Sequence, residues 1–257
     1  MGNSYFQFKQ FTIHQDRSTL KVSTDSCIFG AWVARISRES LAGSQESVAA
    51  IPGSRLLTND SRLLDIGAGT GLLMLMLAQQ WGGTIDGIEI DKDTREQAME
   101  NIQASPWADR LQVLHGDIVS AALPATYDLI ISNPPFYEGD LTSPARHKNL
   151  AKHDAGLTLE GLLAAAHRCA APGARLAVLL PFHRLDEFRG RAAVYGWQPA
   201  RQLLVRQTPA HDYFRAALWL EKQYAGVESV ETLTIHTADR VYSEGMTALL
   251  QPYYLYL

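Results

Sequence analysis

Apolar and polar positions along residues 62–180 repeat with a period that switches between that of a strand and that of a helix. Five short apolar runs predict buried strands, at 62–67, 84–90, 111–115, 127–132 and 174–180. Three longer segments between them predict helices, at 72–80, 93–104 and 159–171. Strands that alternate with helices are joined by crossover connections, which make the sheet parallel and place helices on both faces. The pattern therefore predicts an α/β fold.

The residues before position 62 carry a different pattern. Apolar residues alternate with polar ones at 6–13, which predicts two short extended segments. Apolar residues at four-residue spacing between 28 and 36 predict a helix that Thr24 and Asp25 can cap. The segment 37–61 is rich in serine and poor in large apolar residues until near its end, so it predicts a flexible loop.

These two patterns divide the chain into an N-terminal extension, 1–61, and a core domain, 62–257. Three further strands of the core domain are expected after the alternating region, at Val205, at 214–220 and at 232–236. No internal repeat interrupts this division.

The composition excludes several classes of protein. The formal net charge is −4 at pH 7, so the chain as a whole is not a strongly basic nucleic-acid binder, although a local basic patch is allowed. The longest fully apolar run, 72–78, is too short to cross a bilayer, and the N-terminus lacks the features of a signal peptide. There are only two cysteines, Cys27 and Cys169, which fits a reducing compartment. We therefore expect a cytoplasmic protein that does not bind membranes.

A glycine-rich segment closes the first predicted core strand and opens the helix after it. Its sequence is Asp65-Ile66-Gly67-Ala68-Gly69-Thr70-Gly71. Glycines allow a sharp turn and let a ligand approach the main chain, and the start of the helix presents free N–H groups. Glu89 ends the next predicted strand, where a carboxylate can accept hydrogen bonds from both hydroxyls of a ribose. Asp117 follows the third strand at the same edge.

The glycine spacing distinguishes between nucleotide cofactors. The dinucleotide fingerprint is GxGxxG, whereas this segment has GxGxG with Asp65 two residues before the first glycine. The DxGxGxG pattern followed by an acidic strand end resembles the S-adenosylmethionine-binding motif of class I methyltransferases. The resemblance implies a Rossmann-like, mostly parallel seven-stranded sheet and S-adenosylmethionine as cofactor. It also implies cofactor contacts from Asp65, Gly67, Ala68, Gly69, Gly71, Glu89 and Asp117.

The tetrapeptide Asn133-Pro134-Pro135-Phe136 directly follows the predicted strand at 127–132. Asn133 Oδ1 and the Pro134 carbonyl are two acceptors in a rigid loop, and an exocyclic NH₂ group has two donors to offer them. Phe136 supplies a flat face on which a base or amide can stack. Such a site aligns a weakly nucleophilic nitrogen with a methyl donor.

The tetrapeptide resembles the [N/D/S]PP[Y/F] signature of amino-methyltransferases, which act on adenine N6, cytosine N4, guanine N2 or glutamine N5. The resemblance implies that Asn133, Pro134 and Phe136 are the catalytic residues. It also places Asn133 against the cofactor.

The two ends of the chain carry a narrower resemblance. They are similar to the bacterial tRNA1(Val) adenine-N6 methyltransferases, which modify the adenine next to the anticodon. The similar segments are FQFKQF at 6–11, QDR at 15–17, KVSTD at 21–25, GAW at 30–32, YSE at 242–244 and YYL at 253–255. The resemblance implies N6-methylation of adenine 37 in this tRNA, with Lys21 and Thr24 against the cofactor. The loop 37–61 is longer than the family pattern.

Local basic residues reconcile the negative net charge with a tRNA substrate. Arg146, Lys148 and Lys152 follow the tetrapeptide, and no acidic residue lies among them. Lys9 and Arg17 add positive charge on the N-terminal side. Each of them can neutralise a phosphate and add salt-dependent affinity, although a solvated surface also explains these charges.

Other functions are compatible with parts of the pattern. Guanine-N2 methylation of ribosomal RNA and glutamine-N5 methylation of a protein use related motifs. A catalytically silent RNA-binding module would keep the fold, but the intact Asp65, Glu89, Asp117 and Asn133 argue against it. No histidine pair has metal-ligand spacing, so we expect no metal, and we expect the chain to act as a monomer.

Overall fold

A computed structural model describes residues 3–18, 20–42, 57–134, 157–222 and 224–257, with only the backbone described at 40–42. The strands in these ranges are β1 (Tyr5–Gln7), β2 (Thr12–His14), β3 (Arg62–Ile66), β4 (Thr84–Glu89), β5 (Leu111–His115), β6 (Tyr127–Ser132), β7 (Ala170–Pro181), β8 (Trp197–Arg206), β9 (Tyr213–Lys222) and β10 (Ser229–Thr234). The α-helices are α1 (Thr24–Ala42), α2 (Leu72–Ala78), α3 (Lys92–Gln103), α4 (Leu159–Cys169), α5 (Leu185–Val194) and α6 (Glu244–Leu250).

Eight of these strands form one sheet, in the spatial order β10-β8-β9-β7-β6-β3-β4-β5. β9 runs antiparallel to β7 and β8, and the other neighbouring strands are parallel. The predicted α/β fold with a mostly parallel sheet is confirmed. The sheet has eight strands rather than the seven that the resemblance implied. The strand beyond those seven is β10, which overlaps the strand expected at 232–236, pairs with β8 and buries Leu233 in the core.

Both faces of the sheet are covered because its central strands are apolar on both sides. Neighbouring residues of a strand point to opposite faces, so Leu63 packs in the layer that contains α1, α2 and α3. Leu64 packs in the layer of α4 and α5 on the other face. Every side chain of α2 is buried, which fixes this helix between α1 and the sheet.

The N-terminal segments pack onto the same core. β1 and β2 form an antiparallel hairpin. The side chain of Asn101 in α3 forms hydrogen bonds with the backbone of His14 in this hairpin. The Asn101 Oδ1 accepts from the His14 N–H at 2.9 Å, and its Nδ2 donates to the carbonyls of His14 and Thr70, each at 2.9 Å. Because Thr70 belongs to the glycine-rich segment, Asn101 connects the hairpin directly to that segment.

Two predicted boundaries in this part of the chain are corrected by the structure. α1 continues to Ala42, so the predicted loop does not begin at 37. Serine does not end the helix there, because the Ser37 hydroxyl donates to the Val33 carbonyl one turn earlier. Residues 43–56 of the predicted loop lie outside the described residues. α3 begins at Lys92, one residue before the predicted start at 93, because the Asp91 side chain caps it by accepting from the Thr94 N–H.

We predict that Asn101→Ala lowers the free energy of unfolding by about 2–4 kcal/mol, since it removes three hydrogen bonds and leaves backbone groups without partners. Denaturant unfolding of the two proteins measures the difference. Gln103→Ala is the matched control, because Gln103 is exposed on the same helix and its loss should change stability by less than about 0.5 kcal/mol. Equal effects of the two substitutions would contradict the role of Asn101.

Candidate active site at the carboxyl edge of the sheet

Parallel pairing brings the ends of four neighbouring strands to one edge of the sheet. β3 lies between β4 and β6, and β5 lies beyond β4. Ile66 pairs in register with Ile88 on one side and with Ser132 on the other, so the loops after these strands begin at the same level. We call this side of the sheet the carboxyl edge. The residues that follow the four strands meet there.

The glycine loop, residues 67–71, turns directly from β3 into α2. Gly67 and Gly69 have φ angles of +76° and +55°, which side chains rarely allow. The N–H groups of Gly67 and Ala68 both donate to the Ile88 carbonyl, at 2.9 and 3.1 Å. A Cβ atom at Gly67 would meet no atom within 4 Å, so open space lies beside the loop at this point. The loop therefore leaves room for a ligand next to its main chain.

Glu89 holds the glycine loop from the neighbouring strand. Its Oε2 accepts from the Gly69 N–H at 2.9 Å, and its Oε1 accepts from the Asp91 N–H at 3.0 Å. The side chain is half-buried, and each carboxylate oxygen keeps a further lone pair. The carboxylate is thus fixed in place beside the loop and can still accept hydrogen bonds from a ligand.

Asp65, at the end of β3, is fully buried and neither of its carboxylate oxygens has a hydrogen-bond partner among the described residues. Burial raises the pKa of this carboxyl to about 8, and the nearby charge of Glu89 contributes to the same shift. A buried acid without a partner destabilises the fold, and such groups are concentrated at functional sites. Asp65 therefore has free acceptor capacity at the start of the glycine loop.

Asp117 lies at the same edge, after β5. The Gly116 N–H donates to the Glu89 carbonyl at 3.0 Å, which brings the two loops together. The Asp117 side chain is exposed and its Oδ1 accepts from the Val119 N–H at 2.9 Å. The structure places Asp117 near Glu89 but not within the buried part of the site.

Asn133 follows β6 and contacts the N-terminal helix. Its Nδ2 donates to the Ser26 Oγ at 2.8 Å. Pro134, the next residue, is buried. Sequence reasoning singled out Thr24 in this helix and missed Ser26, because nothing local connects residues that are 107 positions apart. Phe136 lies outside the described residues.

The predicted basic residues of the N-terminal part contact other groups of this chain. Lys9 Nζ donates to the Gln251 carbonyl, and Lys21 Nζ donates to the Gln15 carbonyl. Arg17 forms an ion pair with Glu100, and Thr24 is exposed at the start of α1. The three basic residues after the tetrapeptide lie outside the described residues: Arg146, Lys148 and Lys152.

Two general features of the described ranges complete the description of the site. No group of three or more His, Cys, Asp or Glu side chains in them is arranged to hold a metal ion. None of the helices described has the length and apolar character needed to span a membrane.

The chain matches the Methyltransferase small domain family over residues 44–169. A tRNA1(Val) (adenine(37)-N6)-methyltransferase of Phocaeicola vulgatus is 34% identical over 255 residues, which cover 99% of each chain. The protein of the same name from Tolumonas auensis is 37% identical over 257 residues, covering 99% of this chain and 98% of the other. Among solved structures, a chain described as a predicted O-methyltransferase from Agrobacterium tumefaciens has a TM-score of 0.62 at 16% identity, covering 88% of this chain and 95% of its own.

The α/β fold, the glycine loop and the acidic strand ends at the carboxyl edge define a class I methyltransferase. The relatives that match over nearly the full length narrow this class to one family. The chain belongs to the tRNA1(Val) (adenine(37)-N6)-methyltransferase family.

We predict that Asp65→Asn makes the protein more stable than the parent at high pH. The pKa of the Asp65 carboxyl is raised from 3.8 to about 8 on folding, so between these values the folded chain binds more protons than the unfolded chain. Stability from this group is therefore complete below about pH 4 and is lost as the pH rises through about 8. Relative to the parent, the variant should gain up to about 1.4 kcal/mol of stability per pH unit as the pH rises from about 5 to about 8, and the gain should level off above that.

Denaturant unfolding over this pH range measures the effect in the absence of ligand. Asp117→Asn is the matched control, because it removes an exposed carboxylate from the same edge of the sheet. An Asp65→Asn protein with the parent's slope would contradict the assignment.

Proposed function

We propose that this chain transfers the methyl group of S-adenosylmethionine to N6 of adenine 37 in tRNA1(Val). The observation that carries the proposal is the position of Asn133, which follows β6 directly beside the glycine loop after β3. A methyl donor on the loop and an amino group on Asn133 would thus be neighbours. The relatives from Phocaeicola vulgatus and Tolumonas auensis, which match over nearly the full length, carry this activity in their names.

The residues at the carboxyl edge fit the cofactor. S-adenosylmethionine supplies an electrophilic methyl group on a positively charged sulfur. The unpartnered oxygens of Asp65 can accept from the ammonium group of its amino-acid part, and the open space beside Gly67 leaves room for it. Glu89 can accept from the ribose hydroxyls, as an acidic residue at this strand end does in related sheets. Asp117 lies beyond Glu89, at the adenine end of such an arrangement.

Asn133 and Pro134 orient the adenine amino group. The Asn133 Oδ1 and the Pro134 carbonyl each accept a hydrogen bond from one N–H of the amino group. This orientation directs the lone pair of the nitrogen toward the methyl group. Phe136 stacks against the flipped base. No general base has to act before the attack, because the nitrogen loses its proton during or after methyl transfer; alignment and electrostatics supply the acceleration.

Basic residues bind the tRNA backbone in this proposal. Arg146, Lys148 and Lys152, which follow the catalytic tetrapeptide in the sequence, are the residues we propose to contact the phosphates of the tRNA. Lys9 and Arg17 extend the contact on the N-terminal side. A tRNA substrate agrees with a cytoplasmic location, and we propose that a single chain without metal is sufficient for activity.

We predict that Glu89→Ala weakens binding of S-adenosylmethionine by at least about tenfold, because charge-assisted hydrogen bonds contribute about 1.5–3 kcal/mol each. Isothermal calorimetry measures the affinity, and circular dichroism confirms that the protein is folded. Glu96→Ala is the control, since it removes a partly exposed carboxylate from the adjacent helix α3. Unchanged affinity of the Glu89→Ala protein would remove Glu89 from the cofactor site.

We predict that Asn133→Ala lowers the single-turnover rate of tRNA methylation by about a hundredfold or more, since it removes one preorganised acceptor of the amino group. Affinity for S-adenosylmethionine should change by less than about twofold. Asn59→Ala removes the same side chain from an exposed turn and should methylate at the parent rate. The function proposed for Asn133 fails if its alanine variant also reaches the parent rate with saturating cofactor.

We predict that replacing Arg146, Lys148 and Lys152 together by glutamine reduces the slope of log affinity for tRNA against log salt concentration by about two to three units. Each phosphate contact releases condensed counterions, so losing three contacts flattens the dependence. Arg191→Gln is the control, because Arg191 already forms ion pairs with Glu160 and Glu187 of this chain. An unaltered slope in the triple variant would show that these residues are only solvated.

A further inference from the structure

Asn133 belongs to a continuous series of hydrogen bonds that begins at a carboxylate on α1. The Asn133 Nδ2 lies 2.8 Å from the Ser26 Oγ, and the Ser26 Oγ lies 2.8 Å from the Ser23 Oγ. The Ser23 hydroxyl donates in turn to the Asp25 Oδ1. On its other side the Asp25 carboxylate accepts from Arg215 Nε of β9 at 2.7 Å. We call Asp25, Ser23 and Ser26 the α1 relay.

The charge on Asp25 fixes the direction of every hydrogen bond in the relay. A carboxylate only accepts, so the single proton of the Ser23 hydroxyl is committed to Asp25. The bond between the two serines must then use the proton of Ser26. Having donated its proton, the Ser26 Oγ can only accept from Asn133. Arg215 keeps the carboxylate in its charged form through the ion pair.

Burial raises the pKa of the Asp25 carboxyl, but the hydrogen bonds from Ser23 and Arg215 outweigh burial, and the pKa lies below its usual range. Asp25 is therefore ionised at neutral pH. Its role as the fixed acceptor of the relay does not depend on pH near neutrality.

The direction of the last bond determines which atom of the Asn133 amide is available. A carboxamide has one donor end and one acceptor end, and the two can exchange by a rotation of about 180°. With Ser26 as obligatory acceptor, the NH₂ end of Asn133 faces the relay and Oδ1 is left for a ligand. If the amide were rotated, the Nδ2 group of Asn133 would face the amino group of the substrate, and both groups are donors. The rotation would also leave the Ser26 Oγ facing Oδ1 without a proton between them.

We infer that Ser26 is a positioning residue, which holds Asn133 with its Oδ1 toward the amino group to be methylated. The inference rests on the proposed function, because it assigns a reason for the orientation of the side chain that accepts from the substrate. It also means that the N-terminal helix α1, which precedes the strands of the sheet in the sequence, contributes to catalysis by orienting Asn133.

Single-turnover methylation of a tRNA1(Val) transcript with saturating S-adenosylmethionine tests the inference. We expect Ser26→Ala to lower the rate about five- to tenfold, the size of one neutral hydrogen bond, with cofactor affinity unchanged. Ser26→Thr keeps the hydroxyl and should restore most of the rate. Ser37→Ala removes a buried serine hydroxyl from the same helix but outside the relay, and should react at the parent rate.

The decisive comparison repeats Ser26→Ala in an Asn133→Asp protein. A carboxylate presents an acceptor in either orientation, so the further loss caused by Ser26→Ala should shrink to less than about twofold. An equal loss in both backgrounds would mean that Ser26 supports the fold only, and would overturn the inference. A parent rate for Ser26→Ala would overturn it as well.

Ser23→Ala provides a second variant if Ser26→Ala unfolds. It removes the acceptor that commits the Ser26 proton, so we expect a loss of about two- to tenfold that also disappears in the Asn133→Asp protein. If the loss persists there, the relay has no directional role. A normal rate for Asn133→Ala would instead refute the proposed function itself, which distinguishes the two failures.

Discussion

The parallel pairing of β3 with β4 and β6 is the constraint on which the site depends. Because Ile66 is in register with both Ile88 and Ser132, the glycine loop, Glu89 and Asn133 begin at the same level of one edge. A side chain at the end of one strand is then a neighbour of the loop after the next. Residues far apart in the sequence thus become a single site without any long loop having to fold over the sheet.

The site destabilises the fold, and contacts in the surrounding structure offset this effect. Asp65 is buried without a partner among the described residues, and three glycines adopt left-handed backbone angles in the loop beside it. Around them, α2 is completely buried, Asn101 ties the loop to the hairpin, and Glu89 ties it to β4. These contacts hold an electrostatically unfavourable carboxylate in place, where a cationic ligand can compensate it.

Local signals in the sequence predicted the alternation of strands and helices, the glycine loop and the residue that follows each central strand. These features depend on neighbours within a few positions, so a pattern can reveal them. The contact of Ser26 with Asn133 and the ion pair of Asp25 with Arg215 join residues 107 and 190 positions apart, and only packing brings them together. The continuation of α1 past Ser37 was missed for a related reason, because serine content resembles that of a loop unless its hydroxyl bonds back to the helix.

The identity of the methylated nucleoside tests the central claim most directly. A tRNA1(Val) transcript is incubated with the purified chain and S-adenosylmethionine labelled in its methyl group, then digested, and the labelled nucleoside is identified and mapped. We predict that the label is recovered as N6-methyladenosine at position 37 and that a transcript with guanine at this position takes up none. Label in N2-methylguanosine, at another adenine or in protein would contradict an amino-group site built around Asn133 at the carboxyl edge.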